Sequence, residues 1–482
     1  MIGDPLYFHG VSLAVFVIMI VKVLVAFAAL MIAVMLMIWF ERKVISDMQS
    51  RIGPNRAGPW GIMQTLADGI KLFFKEDLIP ERSDRIVFRL APLLVIVPAL
   101  VAFAIVPVGG IVTIAGHTFE LQVADPPVGI LLLLAMSSIS VYGVMLAGWS
   151  SGSKYPLLGS VRASAQMISY EAAVGMSITA VVLITGSLST RAMIQSQAPA
   201  FWDWNVIRLG VVPFVMFFLA ITAELNRPPF DLVEAEQELV AGYVTEYSSI
   251  RFALFFLAEF MNAITMSAVM VTLFFGGPDG PGFHFLRWLW PILWFLGKTL
   301  VFLFVYVWIR AALPRLRYDQ LMELGWKRLI PISLGWLIVV AAVVVDRWWG
   351  LVVAFAMVVG GLLLGRAIHI SRARGEQIDE GPLSEDPYGR SIERGIYIGS
   401  ASGGNSRARG VGMSSATGIA STAGVSKAGV GVSGGSGTGV SRASSSDVAS
   451  GAGITSKTKR GDLSGHGGAQ RGTGSQDEGT KI

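Results

Sequence analysis

Long apolar blocks alternate with short polar stretches from residue 11 to about residue 368. Crossing a bilayer takes about 20 helical residues, and the blocks reach that length again and again. The pattern predicts nine spans, at 11–40, 86–107, 127–149, 160–187, 205–224, 250–276, 288–312, 328–345 and 349–366. The expected fold is therefore an all-α, multi-pass membrane protein. Between the first two spans, Ile62, Leu66, Ile70 and Phe73 fall on one helical face and Gln64, Asp68, Lys71 and Lys75 on the other, which predicts an amphipathic interfacial helix. Residues 111–123 alternate apolar and polar side chains around Gly116 and predict a short hairpin. The first block is too long for a secretory signal and is followed by no small-residue cleavage site, so it is expected to stay as a membrane anchor.

From about residue 372 the chain turns to Gly, Ser, Ala and Thr, with few large apolar side chains. Such a segment cannot bury enough surface to offset its ordering entropy. The expected division is a membrane domain over 1–371 and a disordered cytoplasmic tail over 372–482.

Composition sharpens this picture. Of 482 residues, 53% are hydrophobic and only 15% charged, against about a quarter charged in soluble domains, which excludes a water-soluble globule. There is no cysteine and the five histidines are scattered, so disulfides and cysteine-bound iron–sulfur clusters are excluded and no metal site is expected. The net charge of +5 reads as basic cytoplasmic loops rather than as a nucleic-acid surface. Arg42, Lys43, Arg51, Arg56, Lys71, Lys75, Arg82 and Arg85 crowd the first loop, whereas 108–126 holds no lysine or arginine. Lys154, Arg227, Arg315, Arg317 and Lys327 continue the alternation, which predicts an outer N-terminus and a cytoplasmic C-terminus.

Ionisable groups within apolar spans cost about 2.5–3.5 kcal/mol each on insertion scales, so each needs a partner, a water-filled cavity or a role. Lys22, Glu171, Glu259 and Lys298 are such groups, and Glu224 closes the fifth span. They serve either as ion pairs that lock helices or as a polar path for protons. The densest constellation runs from Glu224 through Arg227, Pro228, Pro229 and Asp231 to Glu234, Glu236, Glu238 and Glu246. Asp231, Glu234 and Glu238 recur at helical spacing, where like charges repel and raise one another's proton affinity. This is either a solvated loop or a proton-accepting site, and the two prolines favour positioned acids. Arg51 and Arg56 bracket a Gly53-Pro54-Asn55 turn and are candidates to pair with the acidic stretch.

At these stretches the chain resembles a known family. Glu41-Arg42-Lys43 with Arg51-Ile52-Gly53-Pro54-Asn55-Arg56, and Glu234-Ala235-Glu236-Gln237-Glu238-Leu239 with Gly242-Tyr243 and Glu246-Tyr247, are similar to the quinone-chamber membrane subunit, the H subunit, of respiratory complex I. Further matches lie at Gly148-Trp149-Ser150-Ser151, at Arg162-Ala163-Ser164-Ala165-Gln166 running to Tyr170-Glu171, and from Arg310-Ala311 to Arg317-Tyr318-Asp319-Gln320. The resemblance covers about residues 10 to 345.

The resemblance implies a membrane subunit of an NADH–quinone oxidoreductase, seated in the cell membrane and forming the membrane side of the quinone chamber. Its expected neighbours are the peripheral-arm subunits, including the one with the terminal cluster, and the antiporter-like membrane subunits. No catalytic residue and no redox cofactor of its own is implied; quinone is the substrate, with FMN and iron–sulfur clusters in partner subunits. Arg42, Arg51 and Asp68 match positions around the quinone headgroup. Asp231, Glu234, Glu238 and Glu246 match the acidic loop below it, and Glu171 and Glu259 the intramembrane acids of a proton path. From the residues themselves, Glu224 and Glu236 are expected to extend the proton-coupling series, and Arg227 and Arg56 to serve in ion pairs. The ninth span and the Gly/Ser tail go beyond the family's eight-helix core. The alternatives are a subunit of a related membrane hydrogenase or a stand-alone transporter, although no convincing internal repeat supports the latter.

Overall fold

The computed structural model describes residue 6 and residues 12–114, 117–198, 200–231, 240–281 and 288–379. Helices dominate: α1 (Leu13–Met48), α2 (Gln64–Phe74), α3 (Arg85–Phe103), α4 (Gly129–Ser150), α5 (Lys154–Thr185), α6 (Thr190–Gln197), α7 (Val211–Glu224), α8 (Ser249–Phe274), α9 (Leu289–Ala312), α10 (Tyr318–Val345, with a wide turn at Leu324–Leu329) and α11 (Arg347–Asp379). The one sheet among the described residues is the expected hairpin, β1 (Ile111–Ile114) antiparallel to β2 (His117–Glu120). Its turn at Gly116 lies outside the described residues.

Eight of the described helices are long and apolar enough to cross a membrane. The fifth predicted span differs from expectation. Residues 205–208 form a single turn, Gly210 breaks the chain at φ +78°, and α7 that follows has only 14 residues. At 1.5 Å per residue it is about 21 Å long, short of the roughly 30 Å hydrocarbon thickness. Its terminal residue, Glu224, consequently ends among the other helices instead of at a surface. The last helix runs to Asp379, past the change of composition at residue 372.

α8 is the most enclosed of the spans, and α1 and α11 are the most peripheral, α11 lying chiefly along α10. One apolar cluster joins α4, α5, α7, α8 and α10, and a second joins α1, α3, α8 and α9. α2 has no buried residue, and Leu66, Ile70 and Phe73 remain exposed on the face the sequence predicts to be apolar.

Polar locks hold one end of the bundle. The Gln122 amide donates to the carbonyls of Ile105 (2.9 Å) and Ala124 (3.0 Å) and to Thr190 Oγ1 (2.9 Å), and Arg191 pairs with Glu120 at 2.6 Å, tying the hairpin to α6. Lys22 of α1 lies 5.9 Å from the Phe119 ring. Lys298 donates to the carbonyls of Phe275 (2.8 Å), Gly277 (3.0 Å) and Asp279 (2.7 Å), with its ammonium 4.6 Å from the Trp204 ring. It is thus committed to the carbonyls at the end of α8, where a cation complements the helix dipole, rather than to a chain of carboxylates.

Candidate functional site

The buried stripe of α1 runs Leu30, Val34, Met37, Glu41, a 4-3-4 spacing that puts an acid where the next apolar side chain would fall. Glu41 is 6% exposed. Arg227, in the turn after α7, reaches Glu41 Oε2 with Nη1 at 3.0 Å and Glu259 Oε1 of α8 with Nε at 2.9 Å. Arg310 of α9 binds the other Glu41 oxygen. Two acids and two arginines from four segments thus neutralise one another inside the bundle. The arrangement is needed because an isolated buried charge would carry a desolvation cost of several kcal/mol. The Arg227 guanidinium also lies 4.3 Å from the Phe260 ring centroid.

Beside this cluster opens a cavity of ≈530 Å³. Ile38, Ile45, Ile52, Phe256 and Phe260 supply apolar walls, and Arg42, Arg51, Glu41 and Arg310 the polar groups. Arg42 Nη1 is held by Asp68 Oδ2 of α2 at 2.7 Å, and Asp68 Oδ1 accepts from Gln64 at 3.3 Å. Arg51 Nε donates to Gln49 Oε1 at 2.6 Å. The loop after α1 is fixed by close backbone approach. Gly61, at φ +76°, has no room for a Cβ, which would lie 2.4 Å from the Pro54 carbonyl carbon. Trp39 Nε1 donates to the Trp60 carbonyl at 3.0 Å and holds the same loop to α1. Apolar walls with a few convergent cations suit a ligand that has an apolar body and a hydrogen-bond-accepting head.

Two further acids lie deeper. Glu171 is about 25 Å along α5 from its first residue and accepts from the Ser138 hydroxyl and, at 3.5 Å, from Ser137 of α4. Glu224 is buried and leaves Oε2 without a hydrogen-bond partner among the described residues. Ser137 is also within hydrogen-bonding reach of Glu224, so this one hydroxyl lies between the two carboxylates. A cavity of ≈20 Å³ beside Glu224, lined in part by Ser137, Ser140 and Asn262, has room and polar partners for about one water.

The acidic stretch is seen in part. Glu234, Glu236 and Glu238 lie outside the described residues, and Glu246 is half-buried ahead of α8. The expected pairing of Arg51 and Arg56 with the acidic stretch falls mainly on residues outside the described ones, and Asp231, which is buried, pairs with Arg315 at 3.3 Å. The reason is the return of the chain after α9: Leu316 N donates to the Pro229 carbonyl at 2.9 Å, which brings Arg315 to Asp231. Arg51 turns to Gln49, and Arg56 is exposed. Next to Glu246, Tyr247 stacks on Phe88 at 4.0 Å and donates to the Phe88 carbonyl at 3.2 Å; burial pushes its phenol up to about 12, so it stays protonated at neutral pH.

Sequence reasoning gave no role to Glu41, Arg310 or Ser137. For the first two a signal existed. Glu41 continues the buried spacing of α1, and Arg310 continues Leu303, Tyr306 and Val307 on α9. Ser137 carried no such mark, because a serine in an apolar helix is ordinary.

No group of three or more His, Cys, Asp or Glu among the described residues could hold a metal ion. Residues 21–341 match the family described as NADH dehydrogenase. The NADH-quinone oxidoreductase H subunit of Frankia alni is 47% identical over 393 residues, covering 78% of this chain and 86% of the relative. The H subunit of Streptomyces avermitilis is 49% identical over 333 residues (67% and 72%), and that of Cutibacterium acnes 46% over 363 residues (72% and 82%). An all-helical membrane fold, a family match from α1 to α10 and relatives of such identity over most of their length lead to one conclusion: the chain belongs to the family of H subunits of NADH-quinone oxidoreductase, respiratory complex I.

Proposed function

We propose that this chain, assembled with the other subunits of the complex in the plasma membrane, forms the membrane side of the quinone chamber and couples quinone reduction to proton translocation. The observation that carries the reading is a shared wall. Glu41 and Arg310 line both the ≈530 Å³ cavity and a smaller one behind it, and Glu41 is tied through Arg227 to Glu259. A charge that appears in the cavity therefore acts directly on the cluster.

Reduction of a quinone to a quinol takes two electrons and two protons. The electrons would come from an iron–sulfur cluster of a peripheral-arm partner, since this chain has no cysteine to hold one. Negative charge on the reduced headgroup would draw on Arg42, Arg51 and Arg310, loosening the Arg310 hold on Glu41, which would then take more of Arg227 and leave Glu259 less firmly paired. An acid relieved of its cation binds a proton more readily. Glu224 and Glu171 are assigned the onward transfer toward the antiporter-like subunits, and Asp231, Glu234, Glu236, Glu238 and Glu246 the proton supply on the chamber side. That side is assigned to the cytoplasm by the basic loops, with the N-terminus outside.

The test is Glu259→Gln and Glu224→Gln in the assembled complex, reconstituted in vesicles with NADH and a soluble quinone. Proton translocation falls in both while the complex still assembles. Parental turnover and parental pumping in both variants would overturn the coupling role.

A further inference from the structure

Tyr306 stands between the arginine-bound acids and Glu224, and the ion pairs leave its hydroxyl unused. It lies four residues before Arg310 on the buried stripe of α9 and is 6% exposed. Its ring stacks on Phe218 of α7, with centroids 5.2 Å apart and planes 9° from parallel. On one side Tyr306 lines, with Glu41, Arg227 and Arg310, a cavity of ≈10 Å³, at the lower limit for one water. On the other, the Thr222 hydroxyl is within reach and the Glu224 carboxylate is near enough to act on it.

The hydroxyl itself is fully buried and has no hydrogen bond of regular geometry among the described residues. Thr222 donates its own proton to the Phe218 carbonyl at 2.7 Å, so toward Tyr306 it can only accept. A phenylalanine would fill the same space and stack on the same ring without burying an unsettled polar atom. Packing therefore explains the ring and not the oxygen.

We propose that Tyr306 is the relay group that carries protons between the Glu41–Arg227–Glu259 cluster and Glu224. This rests on the coupling role assigned above. In the step, the Oη–H bond breaks as its proton passes through an intervening water, which gives up a proton of its own to a Glu224 carboxylate oxygen. A new Oη–H bond forms with a proton delivered from Glu41 or Glu259 through water in the small cavity. One proton moves, no electron moves, and the phenol ends as it began. The order of proton holders is then cluster, Tyr306, Glu224, with Ser137 leading on to Glu171.

The experiment uses the complete complex in sealed vesicles, with quinone reduction and proton translocation measured together across pH. Tyr306→Phe keeps the stacked ring, and the ratio of protons moved to quinone reduced falls by at least about tenfold, as for the loss of a positioned proton-transfer group. Phe218→Leu, which removes the stack and keeps the hydroxyl, retains the parental ratio. Incorporating 3-fluorotyrosine at 306 keeps the shape and makes the phenol more acidic, so the pH profile of translocation moves to lower pH. This measurement holds even if Tyr306→Phe assembles poorly. An unshifted profile, or a parental ratio in Tyr306→Phe while Glu224→Gln loses pumping, overturns the relay and leaves the coupling role intact. A parental ratio in Glu224→Gln as well removes the coupling role itself.

Discussion

Arg227 and Glu41 lie 186 residues apart in the chain and meet at 3.0 Å inside the bundle. The contact joins the turn after α7 to the buried face of α1, and through Arg227 Nε it extends to Glu259 on α8. A short helix makes it possible. Because α7 stops at Glu224, the turn that follows lies among the other helices, with its arginine between the buried Glu41 and the partly buried Glu259.

Removing that cation is expected to be expensive. Arg227→Met leaves Arg310 to hold Glu41 and leaves Glu259 without a cation in direct contact, and breaking a buried pair in this way costs about 3–5 kcal/mol. The outcome is a loss of assembled complex on native gels and faster thermal inactivation. Arg227→Lys, which retains charge but loses the fork that spans two acids, falls between the parent and Arg227→Met. Equal half-lives for all three would show that the pairing carries little stability.

Arg42 and Asp68 form a different kind of pair. Their side chains are 44% and 29% exposed, so the bridge itself contributes only about 0–1 kcal/mol of stability. Arg42 lines the large cavity, however, and one charged hydrogen bond to a ligand headgroup amounts to about tenfold or more in binding. Arg42→Met is expected to raise the KM for quinone by about that factor with thermal stability unchanged. Asp68→Asn, which only frees Arg42 to move, gives a smaller rise. The readout is steady-state kinetics against a soluble quinone, and a parental KM in Arg42→Met would detach this residue from the substrate.

Gly61 sets the shape of the cavity rim. Alanine there meets the Pro54 carbonyl and must also hold φ +76°, a region that costs an L-residue roughly 1–2 kcal/mol. Gly61→Ala is therefore expected to displace the 51–54 turn, raising the quinone KM and weakening binding of chamber-directed inhibitors. Gly69→Ala, where an added Cβ meets nothing within 4 Å, serves as the neighbouring control and leaves both at parental values.

The Gly/Ser-rich residues 381–482 carry none of the motifs that resemble the family, and their composition offers little apolar surface for docking. Deleting them is expected to leave assembly and NADH–quinone reductase activity at the parental level in isolated membranes. A large loss of activity in the truncated strain would assign the tail a part in the complex.

Much of the architecture was legible in the chain because the bilayer imposes one rule on every span: about 20 apolar residues, folded as a helix. The apolar blocks, the amphipathic face around Leu66 and Ile70 and the hairpin before α4 all follow from period and composition. The fifth block deceived because hydropathy counts residues and does not register that Gly210 turns the backbone to positive φ. Family membership was legible too, from ordered motifs in the loops.

Pairing was not. The sequence marks Glu41, Arg227, Glu259, Arg310 and Arg315 as charges near apolar helices, but which cation meets which acid depends on contacts between segments as far apart as Glu41 and Arg310. Only the tertiary structure decided that Arg315 reaches Asp231, that Lys298 caps α8, and that Glu41 is the acid at the centre of the cluster. The physical reason is one of range. Hydrophobic periodicity is a local property that every residue reports, whereas a buried charge has its partner chosen by helix packing, which brings together groups that no spacing along the chain connects.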